Sequence, residues 1–412
     1  MSTSTWVVGG GITGCLVALR LAHAGHDVCL HEASDSLGGV LRDVIIDGRP
    51  WLRGCQYLQP GRMAEAGFDL PAPDQIRRIP NLVASATYLP DGLLSASGCE
   101  GPVSRESVSE MSIPSGEPEL DSGLHRLAAY PSGVRGAMVA TLRTAGLDAD
   151  QIWGPSLVGL QMGRVFFPGQ EAEASRLKHT SATLDALIGV SPVGPSTLVG
   201  LPEAGYSEWF HRIHRELLAD GVRVHLNSRV RLRLRAGTSE VAASSECQSA
   251  PIGGVWCSSP TPLHTFMSAM DRLVNQHVYH RYWHFEATAG RGFEDHYVQF
   301  FGHPAGIVRA TAYTMGRSTR VVVEAVHRSK DDAIQLNTVV EAARQLDLRV
   351  GRVSAQHGSL NYPTVALTDR KGLGELSSGL LHHNWIGGGW VHYGRARKLQ
   401  AISDDMSELW GA

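Results

Sequence analysis

Near the amino terminus the residues Gly9-Gly10-Gly11-Ile12-Thr13-Gly14 have the spacing G-x-G-x-x-G, which suits the capture of a pyrophosphate. Gly9 permits a sharp turn, Gly11 lets the backbone approach the phosphates, and Gly14 lets a helix pack closely on the strand before it. The amides at the helix start, around Ile12 and Thr13, then face the phosphates with the positive end of the helix dipole. Glu32 ends the next apolar run, where a carboxylate accepts hydrogen bonds from ribose hydroxyls. An acid there, in place of an arginine, disfavours the 2′-phosphate of NADP. The bland alternative is a glycine turn that binds nothing.

Other chemically capable residues are less tightly specified. His277, His280 and His284 invite a metal reading, but strand alternation points His277 away from the other two, which favours structural histidines. His211 and His214 share a helix face without a third ligand. His382 and His383, read as strand neighbours, face opposite ways. Six scattered cysteines (Cys15, Cys29, Cys55, Cys99, Cys247, Cys257) form no C-x-x-C pair, so structural zinc is disfavoured and a reducing, cytoplasmic compartment fits. No Ser-His-Asp or Cys-His arrangement can be argued.

Elements of the right kind surround the glycine turn. Trp6-Val7-Val8 predicts a strand, Cys15–Ala24 a helix stopped by Gly25, and His26–Glu32 a second strand, which implies a parallel pair with a right-handed crossover. Ser95–Ser122 lacks apolar periodicity and reads as a mobile loop, lid or linker. Helical patterns follow to about Leu187, including Ala137–Ala145 before Gly146; Glu203–Asp220 is a further helix closed by Gly221. Strands are expected at Arg223–Leu226 and Val230–Leu234 around Asn227-Ser228, then at Gly254–Cys257, Val278–Glu286, His296–Phe301, Gly306–Thr314 and Arg320–Val326. Asp331–Leu346 reads as an amphipathic helix.

Composition narrows the partners. In 412 residues, Lys+Arg 37 against Asp+Glu 40 leaves a net charge of -3, with no basic excess to displace counterions from nucleic acid. The longest apolar runs, such as Val321–Val323, fall far short of the roughly 20 residues that cross a bilayer. The first residues lack the pattern of a secretory signal. A small-molecule substrate is expected, without nucleic acid or membrane, and a homodimer is left open.

Further motifs carry a resemblance. Glu32-Ala33-Ser34-Asp35-Ser36-Leu37-Gly38-Gly39 resembles the flavoprotein pattern of an acid, a polar loop and a Gly-Gly pair, in which Gly38 and Gly39 pass close to the second half of the cofactor. Asp47–Tyr57 resembles the segment that reaches the flavin ring, which would place Gln56 and Tyr57 there. Gly200–Tyr206 is similar to the mutase motif GLP-x-x-GY, and His225–Val230 to the strand whose valine, here Val230, touches adenine. Ile307–Tyr313 is similar to a mutase strand bearing a substrate-diphosphate arginine, here Arg309. Trp385–Tyr393 matches the turn and helix that close the flavin site, with Gly388, Gly389, Trp390 and Tyr393 at the cofactor and His392 beside it as a proton shuttle or a ribityl contact.

On these motifs the chain resembles the FAD-dependent superfamily of amine oxidases, protoporphyrinogen oxidases, UDP-galactopyranose mutases and Rab GDP-dissociation inhibitors. It departs from the mutases at Gln56, where they place a histidine, at Gly389, where they carry a second diphosphate-binding arginine, and at Arg397, where they have an acid. Tyr57, Trp390 and Tyr393 are candidates for the aromatic walls of amine oxidases. The resemblance implies an α/β fold with FAD as cofactor. Its FAD-binding Rossmann-like (GR2-type) domain would comprise 1–60, 195–262 and 380–412, a mixed-sheet substrate domain 61–94 and 263–379, and a loop with a helical insert 95–194. Three functions follow: hydride transfer from a C–N or C–O centre to flavin N5, in which Arg309, His392, Gln56 and Tyr57 are the catalytic candidates, redox-neutral isomerisation of a sugar or sugar nucleotide on reduced FAD, or ligand binding without catalysis.

Overall fold

The computed structural model describes residues 3–411 apart from 55, 81, 90–91, 94–107, 113–121, 161, 163, 168–169, 190–197, 235–240, 245–249, 261–262, 264–275, 291–292, 347, 365–368, 391 and 393–394. A Rossmann-like unit and a mixed sheet, joined by a helical insert, make up an α/β architecture. The first sheet is all parallel, in the order Arg223–His225, Val28–His31, Thr3–Val8, Ala250–Trp256, Trp385–Gly387. Three distant stretches of chain therefore build one sheet. Its central strands are apolar because both faces are covered: Val7, Val28 and Leu30 are buried against the helix Ile12–His23 and the helix Tyr206–Ala219. Gly25, at φ +87°, ends the first helix as expected.

The second sheet has seven strands in the order Arg349–Thr364, Gln276–Thr288, Ser318–His327, Ile307–Met315, His296–Phe301, Leu82–Leu89, Gly92–Leu93. It is mixed, since Leu82–Leu89 runs parallel to His296–Phe301 while its other neighbours are antiparallel. Alternation divides its faces. Trp283, Phe285, Val298, Phe300, Val321 and Val323 pack under the helix Leu336–Arg344. Tyr282, Tyr313 and Val322 look the other way, into the core shared with the Rossmann-like unit.

Two elements differ from expectation. The helix expected over Asp331–Leu346 begins only at Leu336, because Asp332 is held in a turn: its carboxylate accepts from the Ser329 amide at 3.1 Å and its carbonyl accepts from Arg281 at 2.7 Å. The edge strand Arg349–Thr364 has no counterpart in the sequence reading. Its run of Arg, Ser, Gln, His and Asn hides a strand, and Gly358 lies so close over the Tyr279 ring that a Cβ there would overlap it.

The insert has its own core of Leu127, Met138, Leu142, Leu157, Leu160 and Leu187, which packs on Val278, Phe301, Val308 and Val326 of the sheet. Ser122 and Ser181 cap two of its helices by accepting from the amides of His125 and Leu184. Most of Ser95–Ser122, expected as a mobile loop, lies outside the described residues; within it Val108–Glu110 forms a turn of 3-10 helix that buries Val108.

Candidate functional site

The glycine turn is built as its spacing requires. The Gly9 amide donates to the His31 carbonyl at 2.8 Å, with Gly9 at φ +105°. A Cβ on Gly14 would collide with the Gly9 carbonyl oxygen, so only glycine allows the helix to sit this close to the strand. A Cβ on Gly11 would meet nothing within 4 Å, which leaves the amides at Ile12 and Thr13 beside open space. Glu32 accepts from the Gly10 amide at 2.6 Å through Oε2 and from the Ser34 amide at 2.8 Å through Oε1. The second glycine pair joins this surface: Gly38 donates to the Gly10 carbonyl at 2.8 Å, and a Cβ on Gly39 would lie 3.4 Å from the Gly11 Cα.

Around Glu32 the loop from the third strand closes in, with the Ser228 amide donating to the Glu32 carbonyl at 2.8 Å. Val230 is buried among Trp6, Val8 and Cys29. His31 stacks on His225 at 4.9 Å and is pushed down to about 4 by its burial and by that neighbour.

The carboxy-terminal turn meets the first one across Cys257 and Ser258. A Cβ on Gly9 would lie 3.1 Å from the Ser258 amide nitrogen, and one on Gly388 would lie 2.6 Å from the Trp256 carbonyl. Trp390 is buried, with its Nε1 donating to the Ser258 carbonyl at 2.9 Å, so it latches this junction. Gly389 sits at φ +63°, in the left-handed region, and a Cβ there would lie 3.0 Å from the Lys398 Cα and carbonyl oxygen, so a side chain would be strained and tightly packed. His392 is half-buried, its amide donating to the Gly389 carbonyl at 3.0 Å; burial and the charges of Arg397 and Lys398 push its ring below the usual histidine value. Tyr393 lies outside the described residues.

Between the two sheets a polar row crosses five strands. The register pairs His357 with Tyr282, Tyr282 with Glu324, Glu324 with Arg309 and Arg309 with Gln299. Arg309 donates to Glu324 Oε2 at 2.5 Å, and His280 Nδ1 lies 2.8 Å from Glu324 Oε1. Burial raises the Glu324 carboxyl, but Arg309 and the hydrogen-bonded His280 outweigh it and bring it to about 2. His357 stacks between Tyr282 at 4.8 Å and His284 at 5.0 Å with neither ring nitrogen hydrogen-bonded; burial and Arg53 push it down to about 4.

The loop Leu52–Tyr57 roofs this row. His284 Nε2 donates to the Leu52 carbonyl at 3.1 Å, and a Cβ on Gly54 would lie 3.2 Å from the Tyr282 ring and 3.4 Å from Glu324 Oε2. Tyr57 and Arg309 converge on one ring, Tyr297, at 6.2 Å and 5.9 Å. Gln56 turns instead toward the second glycine turn, donating to the Val40 carbonyl at 2.6 Å. The sequence reading took His280 as a structural histidine and gave Tyr282, Gln299, Glu324 and His357 no part in the site. The legible signal was an acid, Glu324, set in an otherwise apolar buried strand.

The remaining histidines serve elsewhere. His211 faces Glu208 at 3.7 Å on an exposed helix surface. His382 and His383 are not strand neighbours, because the helix Asp369–Leu381 runs into a turn that contains both.

The donors fit a flavin dinucleotide. The open face at Gly11 and the Glu32 carboxylate suit the adenosine diphosphate half. The buried Trp51 Nε1, Arg53 Nε and Gln56 Oε1, which have no hydrogen-bond partner, line the loop that would meet the ring.

The description NAD(P)-binding Rossmann-like domain matches residues 7–69. No curated protein matches the chain in sequence. Among solved structures, reduced UDP-galactopyranose mutase is 12% identical with a TM-score of 0.64, covering 100% of this chain and 96% of its own. Putrescine oxidase bound to putrescine is 14% identical with a TM-score of 0.60, covering 99% and 98%. A CLA-producing fatty acid isomerase from P. acnes is 12% identical with a TM-score of 0.59, covering 100% and 99%. Over its whole length the chain has the fold of these solved structures. The fold is thus shared by oxidases, a mutase and an isomerase.

Proposed function

We propose that this protein is an FAD-dependent oxidoreductase that oxidises a small molecule at a C–N or C–O centre. Gly9–Gly14, Glu32 and the Gly38-Gly39 pair would hold the dinucleotide, and the loop 51–57 would meet its ring. A flavin held there would supply the hydride-accepting chemistry of the reaction. Tyr57 and Tyr297 flank the substrate with aromatic surface, Arg309 is a cation fixed by Glu324, and His357, neutral at pH 7, accepts the proton that the substrate's amine or hydroxyl gives up.

The engagement of Arg309 carries this reading. With Glu324 at 2.5 Å, Arg309 is already ion-paired, and Gly389 carries no side chain where a second arginine would stand. Neither of the two mutase-type diphosphate anchors is thus available. A redox-neutral isomerase is the second reading, favoured by the mutase and isomerase among the solved structures of this fold.

Anaerobic incubation with panels of amines, alcohols and nucleotide sugars separates the two. Bleaching of the flavin by an amine or alcohol is the expected result. Turnover of a nucleotide sugar only after chemical reduction, with no net redox change, would overturn it in favour of the isomerase.

A further inference from the structure

The loop that roofs the polar row enters through a backbone held by three side chains of the second sheet. Arg320 donates to the Pro50 carbonyl and lays its guanidinium 4.6 Å from the centre of the Trp51 ring. Tyr313, opposite Arg320 in the register, accepts from the Leu52 amide at 3.0 Å through its hydroxyl. His284 donates to the Leu52 carbonyl at 3.1 Å, and its ring meets the Trp51 ring edge-on at 5.7 Å. Trp51, His284, Tyr313 and Arg320 are all buried. Burial and the neighbouring His357 push His284 down to about 3, so its ring is neutral, and its one proton sits on Nε2 because a carbonyl only accepts.

The other end of the loop is tied differently. Tyr206, on the helix that covers the first sheet, donates to the Gln56 carbonyl, and Leu58 exchanges two backbone hydrogen bonds with Gly200, each of 2.9 Å. Between the two anchors the chain passes over the buried ion pair: a Cβ on Gly54 would lie 3.4 Å from Glu324 Oε2 and 3.7 Å from Arg309 Nη2. The far anchor rests largely on backbone pairing, whereas the near one, at Pro50 to Leu52, rests on side chains of the sheet that carries Arg309 and Glu324. A buried amide or carbonyl that loses its partner is costly to keep in place, so the near anchor is the one that substitution can release.

We propose that Tyr313, His284 and Arg320 are positioning residues: through the backbone of Pro50, Trp51 and Leu52 they set how closely the loop 52–57 lies over Arg309 and Glu324, and with it the gap between the flavin ring and the substrate. The inference rests on the reading of this loop as the one that meets the ring. It adds that the sheet bearing the substrate residues also fixes the ring loop, so the two are held in one frame.

Hydrogen exchange of the flavin-free chain reads the loop without any cofactor, and the visible spectrum and fluorescence of the flavin-loaded protein read the ring. Tyr313→Phe and His284→Leu should each speed exchange at residues 51–54 by about tenfold or more. His284→Gln, whose amide nitrogen can still donate to the Leu52 carbonyl, should stay close to wild type. Tyr130→Phe, which removes a buried hydroxyl that donates to the Leu187 carbonyl in the insert, should leave the loop unchanged. In the loaded protein the first two variants should retain FAD as wild type does, with blurred vibronic structure and brighter flavin fluorescence, and His284→Gln should restore both. Wild-type exchange in Tyr313→Phe and His284→Leu, faster exchange spread evenly over the whole sheet, or a wild-type flavin spectrum in both would overturn the proposal. If the protein takes up no flavin yet the loop loosens locally and His284→Gln restores it, the anchoring by these residues stands and the flavoenzyme reading falls.

Discussion

The Gly38 amide donates to the Gly10 carbonyl at 2.8 Å, so two glycine turns far apart in sequence form one continuous surface. The first turn has the geometry that suits a phosphate, and the second continues the same surface. Gly11 and Gly14 play different parts in it, and substitution can separate them. Gly14→Ala forces the helix off the strand and should lower stability by about 1–3 kcal/mol, the usual effect of overpacking. Gly11→Ala meets open space, so the melting temperature of the flavin-free protein should be unchanged while FAD affinity falls. Thermal unfolding and FAD titration of both variants check this.

Glu32 gives a second prediction. Its carboxylate holds the Gly10 and Ser34 amides, and under the proposed function it would also accept from the ribose hydroxyls. Hydrogen bonds to a charged acceptor contribute about 1.5–3 kcal/mol each, so Glu32→Ala should weaken FAD retention tenfold or more. Fluorescence of free flavin after desalting measures it. Retention equal to wild type contradicts the assignment of Glu32 as the ribose ligand.

The buried pair in the second sheet predicts a stability effect. Glu324→Gln leaves the buried Arg309 without its counter-charge and should cost about 3–5 kcal/mol, as removal of one partner of a buried ion pair does. Its carboxyl is held down to about 2 in the folded state, so it adds stability above the ordinary carboxylate value that is lost as pH falls toward 2. His31 and His284 act in the same direction at higher pH. With folded values pushed down to about 4 and about 3, they bind fewer protons folded than unfolded. Each should remove about 1.4 kcal/mol per pH unit as the pH drops below the usual histidine value. Denaturant unfolding between pH 7 and pH 2 should show stability falling steadily, with the lowest part of the slope flattened in Glu324→Gln.

Arg309 itself predicts a kinetic split. Arg309→Gln should raise KM for the substrate while flavin content stays at the wild-type level, because Arg309 touches Tyr297 and Glu324 and not the glycine surface. Loss of flavin in this variant would move Arg309 out of the substrate site.

What could be read from the sequence was local. The glycine spacing, the acid after the second strand and the Gly25 stop all act within a few residues, and the structure gives Gly9 and Gly25 the positive φ such turns need and sets Glu32 against the Gly10 amide. The alternation in Val278–Glu286 was equally visible, since a half-polar strand face leaves a period-two trace. The long edge strand Arg349–Thr364 left none, because its polar side chains and glycines carry no apolar period. Nor could the sequence announce that Arg309 meets Glu324. That contact follows from strand register, with Ile307 opposite Ala325 and a bulge before Arg309.

The most direct test is reconstitution of the purified protein with FAD, followed by its visible absorption spectrum after removal of free flavin. A retained yellow chromophore with vibronic structure typical of a buried ring, diminished in Gly11→Ala, is the predicted result. A colourless wild-type protein that takes up no flavin from excess FAD would contradict the account.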